Sequence, residues 1–262
     1  MKILIFVISL FALLTPFSIA NPIQSLASFV RKNSIIEFSE EPILSYLKSL
    51  SYFCYGNESF SSYVEFKKDL LKVNYQPSDI GSPRIRFSCS SVRAYDHATL
   101  KFKVMFGKEF DWAKGGKLNG FGSLYPRTGG RITNHNDWSV RFSFHRGGRL
   151  GVYIYQIERQ GWGEMFFVPG FSFHKERWYD LELSADLNIG NNNDKIIVKI
   201  NNVAVLNLEN LNLKNHDNTG VQTFLFQTFY GGNNSSFSPQ KDNKPLTTTA
   251  YFKEISFLTF ND

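Results

Sequence analysis

A segment in the middle of the chain carries residue types that could bind and process an anion. The segment WSVRFSFHRGGRLGVYIY reads as two strands joined by a turn at GGR. Because strand side chains alternate between two faces, one face is expected to collect Ser139, Arg141, Ser143, His145, Tyr153 and Tyr155. Arginine can hold a carboxylate through two parallel hydrogen bonds, and tyrosine or histidine can transfer protons. Periodicity alone favours an ordinary exposed face, on which an arginine beside a tyrosine is a common packing pair.

Further candidates lie outside this segment. The glycine-rich sequence FDWAKGGKLNGFGS places Lys114 and Lys117 on either side of two glycines. It lacks the spacing of a phosphate-binding loop, so the alternative to functional lysines is a solvated glycine loop. His135, in the sequence TNHNDW, and His145 are candidate acid–base groups, although a surface or structural histidine is the commoner case. Gln227 is a candidate hydrogen-bond partner for sugar hydroxyls.

Residues 1–20 have the pattern of a secretory signal peptide. Lys2 precedes an apolar run, and the small-residue sequence Ser18-Ile19-Ala20 follows it, so cleavage is expected after Ala20. The alternative is a membrane anchor, but the uninterrupted run is short for a span of about 20 residues. We therefore expect an extracellular protein that has no membrane attachment after cleavage.

An extracellular location affects how the two cysteines and the net positive charge are interpreted. In an oxidising compartment Cys54 and Cys89 are expected to form a disulfide, and two cysteines do not supply the four ligands of a structural zinc site. The formal net charge of +6 suits an acidic polymer as partner. The sequence shows no helix-turn-helix pattern, zinc finger or Lys/Arg-rich run, so we expect an acidic polysaccharide rather than nucleic acid.

The pattern of apolar residues predicts an all-β fold. Short alternating segments broken by Gly, Asn and Pro recur from about residue 63 onward, for example LKFKVMF and YDLELSADL. The segment KIIVKINNVAVLNL reads as two strands around Asn201-Asn202. No long amphipathic helix separates these strands, which favours a β-jelly roll of two antiparallel sheets with a concave cleft. The polar stretch 231–249 is expected to form a long loop.

Two further segments complete the predicted organisation. Residues 21–60 differ in composition from the rest and are expected to form a short extension with one or two short helices. Residues 61–262 are expected to form the jelly-roll domain. No internal repeat of 20–50 residues is evident.

Five short motifs occur in an order that is found in a known family. They are FDWAKGGKLNG, WSVR, YIY, FQTFYGG and AYFKEISF. Together they resemble polysaccharide lyase family 14, which includes alginate and glucuronan lyases with a β-jelly-roll fold, over roughly residues 71–260. The sequence departs from that pattern at Asn119, where the family has proline, and at Tyr230, the second aromatic residue before the two glycines. In addition, the region Ser143-Phe144-His145-Arg146 replaces the Met-Trp-Arg of the family. These departures concern the wall of the cleft, so the identity of the substrate stays open.

The resemblance implies roles for individual residues. Carried over position by position, it implies an essential Lys117 and substrate binding by Ser139 and Arg141. It also implies catalytic tyrosines at Tyr153 and Tyr155. The remaining candidates for substrate binding are Lys114, His135, His145 and Gln227.

The implied reaction is a β-elimination. A polyuronate lyase removes the C5 proton of a uronate and expels the oxygen linked to C4, and a cation at the carboxylate stabilises the enolate-like intermediate. Arg141 and Lys117 suit that role, while Tyr153 and Tyr155 would abstract and return protons. Because nearby cations favour phenolate, we expect tyrosine pKa values below about 10. Since Lys and Arg supply the positive charge, no metal or cofactor is expected, and the enzyme is expected to be a monomer.

Two other functions suit a similar fold. A glycoside hydrolase needs two carboxylates that flank the bond, and the strand pattern E-x-D-x-x-E is absent from the sequence. A non-catalytic carbohydrate-binding module has no need of the full set of Lys, Ser, Arg and paired Tyr. The sequence therefore favours a lyase.

Overall fold

The computed structural model describes residues 4–8, 52–67, 70–130, 137–157, 161–188, 193–215 and 219–261. These residues form strands almost throughout, with one short helix, α1 (Glu58–Tyr63), and single 3₁₀ turns at Arg146–Gly148 and Ser235–Phe237. The strands are β1 (Leu4–Ile8), β2 (Tyr52–Gly56), β3 (Val64–Lys67), β4 (Leu70–Tyr75), β5 (Ile85–Tyr95), β6 (His97–Phe106), β7 (Gly115–Gly122), β8 (Ser139–His145), β9 (Arg149–Tyr155), β10 (Glu164–Ser172), β11 (Trp178–Asp186), β12 (Asp194–Ile200), β13 (Val203–Leu211), β14 (Val221–Tyr230), β15 (Gln240–Lys241), β16 (Lys244–Pro245) and β17 (Thr248–Phe260).

Two large antiparallel sheets face each other across one core. The first, which we call the outer sheet, has the order β13-β12-β11-β6-β17-β4-β3, and β1 also pairs with β17. The second, which we call the cleft sheet, has the order β10-β9-β8-β7-β14-β5-β2. This arrangement confirms the predicted jelly roll of two antiparallel sheets.

Alternation of apolar residues explains why these segments form strands. In β6, Leu100, Phe102, Val104 and Phe106 are fully buried between the sheets, as predicted. The other face of the same strand carries charged residues, so the strand is held in register by its burial pattern. The turn at Asn201-Asn202, where both residues have positive φ, joins β12 to β13 and is also confirmed.

The segment that opened the sequence analysis folds as a hairpin. Its strands β8 and β9 pair in antiparallel register, and their apolar residues Val140, Phe142, Val152 and Ile154 are fully buried in the core. The 3₁₀ turn between them uses positive φ at both glycines of the predicted GGR turn. The opposite face therefore points away from the core, as the periodicity predicts.

The cleft sheet begins earlier in the sequence than expected. Strand β2 pairs with β5 and lies within the stretch 21–60 that the sequence assigned to an extension. A disulfide between Cys54 and Cys89 joins these two strands, as predicted. Residues 9–51 lie outside the described residues, so the helices expected there are not addressed.

Two other segments bear on predictions about the ends of the chain. Strand β1 pairs with β17 within the stretch that has a signal-peptide pattern, and its removal by a signal peptidase stays a prediction. Among the described residues, no helix has the length and hydropathy needed to cross a bilayer. The stretch 231–249 contains a 3₁₀ turn and the small β15–β16 hairpin, and β17 already begins at Thr248.

Candidate active site

A cleft of about 780 Å³ lies on the cleft sheet, on the face opposite the core. Among its lining residues are six with long cationic side chains: Arg84, Arg86, Lys114, Lys117, Arg141 and Arg146. No aspartate or glutamate of the described residues lines it. The cleft is therefore an anion-binding surface by its charge alone.

The pairing of three strands brings the central side chains together. Arg141 on β8 is directly opposite Tyr153 on β9. On the other side of β8, Arg141 is directly opposite Gly120 of β7. A Cβ added at Gly120 would lie 2.6 Å from the Arg141 side chain. Glycine is therefore required at position 120 for β7 to approach β8 this closely beside Arg141. A register shift between Lys117 and Gly120 interrupts the ladder beside this point.

Lys117 is held against an aromatic ring rather than a carboxylate. Its Nζ lies 3.5 Å from the centroid of the Tyr153 ring, a cation–π distance. Burial, together with the positive charge of Arg141, holds the pKa of Lys117 well below its usual range. These surroundings disfavour the charged form of Lys117 relative to that of an exposed lysine.

Arg141 is a buried cation whose hydrogen bonds are only partly used. Its Nη1 donates to Oε1 of Gln227 at 2.9 Å, and its Nε has no hydrogen-bond partner among the described residues. Burial lowers the pKa of Arg141 to about 10, so the guanidinium stays charged at neutral pH. Gln227 therefore lies in the site as predicted, with its carbonyl oxygen turned towards Arg141.

The two predicted tyrosines are in contact but have different surroundings. The rings of Tyr153 and Tyr155 meet edge to face with centroids 5.2 Å apart. The hydroxyl of Tyr155, which is almost fully buried, accepts a hydrogen bond from the backbone N–H of Gly130 at 3.0 Å. Burial and the neighbouring Tyr155 raise the pKa of Tyr153 above its ordinary value. The expectation that nearby cations would lower this pKa is thus wrong for Tyr153, because desolvation outweighs their attraction.

Ser139 lies beneath the cleft rather than on its surface. It is fully buried, and its Oγ donates to the backbone carbonyl of Arg127 at 2.6 Å. This bond fixes the chain just before Gly130, which in turn contacts Tyr155. In this geometry Ser139 helps to position the chain segment that contacts Tyr155.

The candidates at the other end of the cleft are also accounted for. His145 lines the cleft with Nε2 3.1 Å from Oγ of Ser143, and burial lowers its pKa to about 4. It is therefore neutral at physiological pH. Lys114 lines the cleft with Nζ 5.7 Å from the centroid of the Phe237 ring. His135 lies outside the described residues.

Sequence reasoning missed several residues of the cleft. Arg86 pairs with Gln227 across β5 and β14, and its alternation with the buried Ile85 and Phe87 could have identified it. Met165 on β10 approaches Ser143 at 3.4 Å from Sδ to Oγ. Trp162 lies in a loop, where no periodicity could have placed it in the cleft. Among the described residues, no group of three or more His, Cys, Asp or Glu side chains could hold a metal ion.

Comparison with solved structures relates the fold to polysaccharide-degrading enzymes. Alginate lyase Aly36B is 21% identical, with a TM-score of 0.66, and 78% of this chain and 86% of that one are covered. The alginate lyase of Aplysia kurodai is 21% identical, with a TM-score of 0.64 and coverage of 81% and 92%. The endo-β-1,4-glucuronan lyase of Trichoderma reesei is 12% identical, with a TM-score of 0.52 and coverage of 79% and 87%. These likenesses confirm the fold.

Family assignment comes from the sequence itself. No curated protein matches the chain. Residues 63–255, most of the chain, match the family described as Polysaccharide lyase 14. This range contains the hairpin β8–β9 and every cationic residue that lines the cleft. The resemblance seen in the motifs is therefore confirmed, and the chain belongs to the polysaccharide lyase 14 family.

Proposed function

We propose that the protein is a secreted polyuronate lyase that cleaves 1,4-glycosidic bonds by β-elimination and leaves an unsaturated uronate. The observation that carries this proposal is the convergence of Lys117, Arg141 and Tyr153 in a cleft that no acidic side chain of the described residues lines. A hydrolase of the two-carboxylate type needs acidic groups on both sides of the bond. The cleft instead offers cations and phenols, which suit elimination beside a carboxylate.

Arg141 is the group that binds the reacting carboxylate. A carboxylate beside C5 disfavours loss of the C5 proton, because a second negative charge would develop next to the first. The buried guanidinium offsets that charge and gains strength from the low polarity around it. Gln227 holds the guanidinium from one side and leaves other N–H groups for the substrate.

Proton transfer is divided between Lys117 and Tyr153. The neutral amine of Lys117 accepts the C5 proton, and the phenol of Tyr153, whose pKa is raised by burial, donates its proton to the oxygen that leaves C4. The C5–H and C4–O bonds break, the C4–C5 double bond forms, and transfer of a proton from Lys117 back to Tyr153 restores the starting state. Tyr155 and Ser139 position this pair through the Gly130 and Arg127 backbone.

The substrate class follows from the charge of the cleft. Further cations, Arg86 and Lys114, also line the cleft, as suits a chain with a carboxylate on successive units. A double mutant of Aly36B has been solved in complex with alginate tetrasaccharide, so a related fold takes such a chain. We propose an alginate or a glucuronan as substrate and a monomeric, extracellular enzyme.

An ultraviolet assay tests this proposal. The purified protein is incubated separately with polymannuronate, polyguluronate, glucuronan and a neutral glucan, and the absorbance of the conjugated double bond is followed. We expect the signal with at least one polyuronate and none with the neutral glucan. Absence of the signal on every polyuronate, combined with measurable binding, would instead indicate a non-catalytic carbohydrate-binding protein.

A further inference from the structure

Trp162 is an exposed aromatic side chain that lines the cleft. It is 65% exposed and lies between β9 and β10. The other large apolar side chains exposed on the described part of the chain do not line this cleft: Tyr55, Phe66, Ile80, Val92, Tyr125 and Val203. An indole left open to water at the edge of a binding cleft is a ready surface for an apolar face of a ligand.

The ring is held in place by a second loop. Gly130, with φ of 73°, lies so close that an added Cβ would be 2.9 Å from a carbon of the indole. The neighbouring Gly161 carbonyl accepts a hydrogen bond from Nη2 of Arg127 at 2.9 Å. One side of the indole therefore rests on glycine backbone while the ring keeps its large exposed area. A platform fixed in advance loses little conformational entropy when a ligand binds.

The contacts of Gly130 also fix where this platform lies in the cleft. Gly130 touches Trp162 and donates its N–H to the hydroxyl of Tyr155. Tyr155 is opposite Ser139 at one end of the β8–β9 pair, whereas His145 and Lys114 belong to the other end of β8 and the start of β7. The cleft therefore has an aromatic end at Trp162 and a cationic end at Lys114, with Lys117 and Arg141 between them.

We propose that Trp162 forms a stacking subsite for the pyranose ring of a sugar unit beyond the two units joined by the cleaved bond. This inference rests on the proposed function. A pyranose ring presents axial C–H groups on its faces, and these pack on an indole while the carboxylate and hydroxyls stay at the ring edge. Because the subsite offers an apolar surface, it is expected to favour longer oligosaccharides over shorter ones and not to depend on their charge.

Calorimetric titration with oligosaccharides of two lengths tests the subsite. The probes are mannuronate and glucuronate disaccharides and tetrasaccharides, titrated into proteins that carry Lys117→Arg, a substitution expected to leave no detectable turnover. In that background Trp162→Ala is expected to weaken tetrasaccharide binding about tenfold or more, the loss typical of an aromatic anchor. Disaccharide binding is expected to stay within about twofold, and Trp162→Phe, which keeps an aromatic face, to fall between Trp162→Ala and the parent.

Tyr125→Ala is the matched control, because Tyr125 is 66% exposed but does not line the cleft. It is expected to bind both lengths like the parent. Equal affinities of Trp162→Ala and the parent for the tetrasaccharide would overturn the subsite, as would equal losses for both lengths.

The same titrations separate the subsite from the proposed function. Wild-type elimination together with unchanged tetrasaccharide binding by Trp162→Ala overturns the subsite alone. Binding that depends on Trp162, in a wild-type protein that releases no unsaturated product, supports the subsite and overturns the lyase. A parent protein that binds none of the four probes, together with a wild-type protein that releases no unsaturated product from any polyuronate, overturns both.

Discussion

The exposed face of the outer sheet and the cleft face of the other sheet are both built by strand alternation, yet they treat positive charge differently. On the outer sheet, Lys101 and Lys199 both reach Glu182, at 2.8 and 2.9 Å. Hydrogen bonds from Lys72 and Asn74 lower the pKa of Glu65 to about 2. In the cleft, no described acidic side chain lines the surface beside its cations.

The difference shows how this fold separates a surface from a site. Paired charges on an exposed sheet face contribute little to stability and attract no ligand strongly. Buried cations without a carboxylate destabilise the folded protein, because their desolvation is not offset. We propose that the carboxylates of the substrate supply the negative charge that offsets this cost.

Removing the amine at the centre of the cleft has the largest expected effect. Lys117→Ala takes away the proposed proton acceptor, and we expect kcat to fall by about 10³-fold, within the range for loss of a general base. Lys101→Ala, which removes a paired lysine of the outer sheet, is the matched control and is expected to leave kcat unchanged. Steady-state kinetics on the best polyuronate checks both. Comparable losses in the two variants would erase the contrast between the faces.

Substitution of the two tyrosines is expected to lower kcat by different amounts. Tyr153→Phe removes the proton donor, and we expect kcat to fall by about 10²-fold or more. Tyr155→Phe keeps the ring and loses the hydrogen bonds of its hydroxyl to Gly130 and to Tyr153. We expect kcat to fall about tenfold, within the general magnitude of one or two neutral hydrogen bonds. Kinetics of both variants, with circular dichroism as a check of folding, measures the difference. A larger loss in Tyr155→Phe would exchange the two roles.

Placing an acid in the cleft should make it resemble the outer sheet. Gln227→Glu brings a carboxylate to Arg141, where it competes with the substrate, and we expect KM to rise about tenfold, as for a single strong charged contact. Asn207→Asp adds the same charge to the exposed part of the outer sheet and is expected to leave KM unchanged. The comparison is made at low and moderate salt. An unchanged KM in Gln227→Glu would argue against Arg141 as the carboxylate site.

The smallest expected effect is on stability. The pKa of Lys117 is lower in the folded protein than in the unfolded chain. Between those two values the unfolded state binds more protons, so stability should rise as the pH rises through that window. Lys117→Met removes this dependence and the desolvation cost. We expect its Tm to exceed that of the wild type by a few degrees, about 2–4 °C for each kcal/mol, in thermal denaturation near neutral pH. A lower Tm would contradict the description of Lys117 as a lysine whose charged form is disfavoured by burial.

Much of the fold could be predicted from sequence because burial follows alternation. The hairpin β8–β9 was predicted with its turn, and with it Arg141 and Tyr153 as neighbours. The direction of the pKa shift of Tyr153 could not be predicted from the sequence, since it depends on how deeply the cleft buries the ring. The sequence also could not predict that Ser139 is buried against the Arg127 backbone or that Trp162 lines the cleft. Both depend on how the loops fold beside the sheet.

Lys117→Arg provides the most direct test of the central claim, because it replaces the proposed proton acceptor with a side chain that stays positively charged at neutral pH. Unsaturated product and tetrasaccharide affinity are measured side by side for this variant and the wild type. We predict no detectable product from Lys117→Arg and tetrasaccharide binding within a few-fold of the wild type. Elimination by Lys117→Arg at a rate close to that of the wild type would contradict the account, because charge alone would then be sufficient.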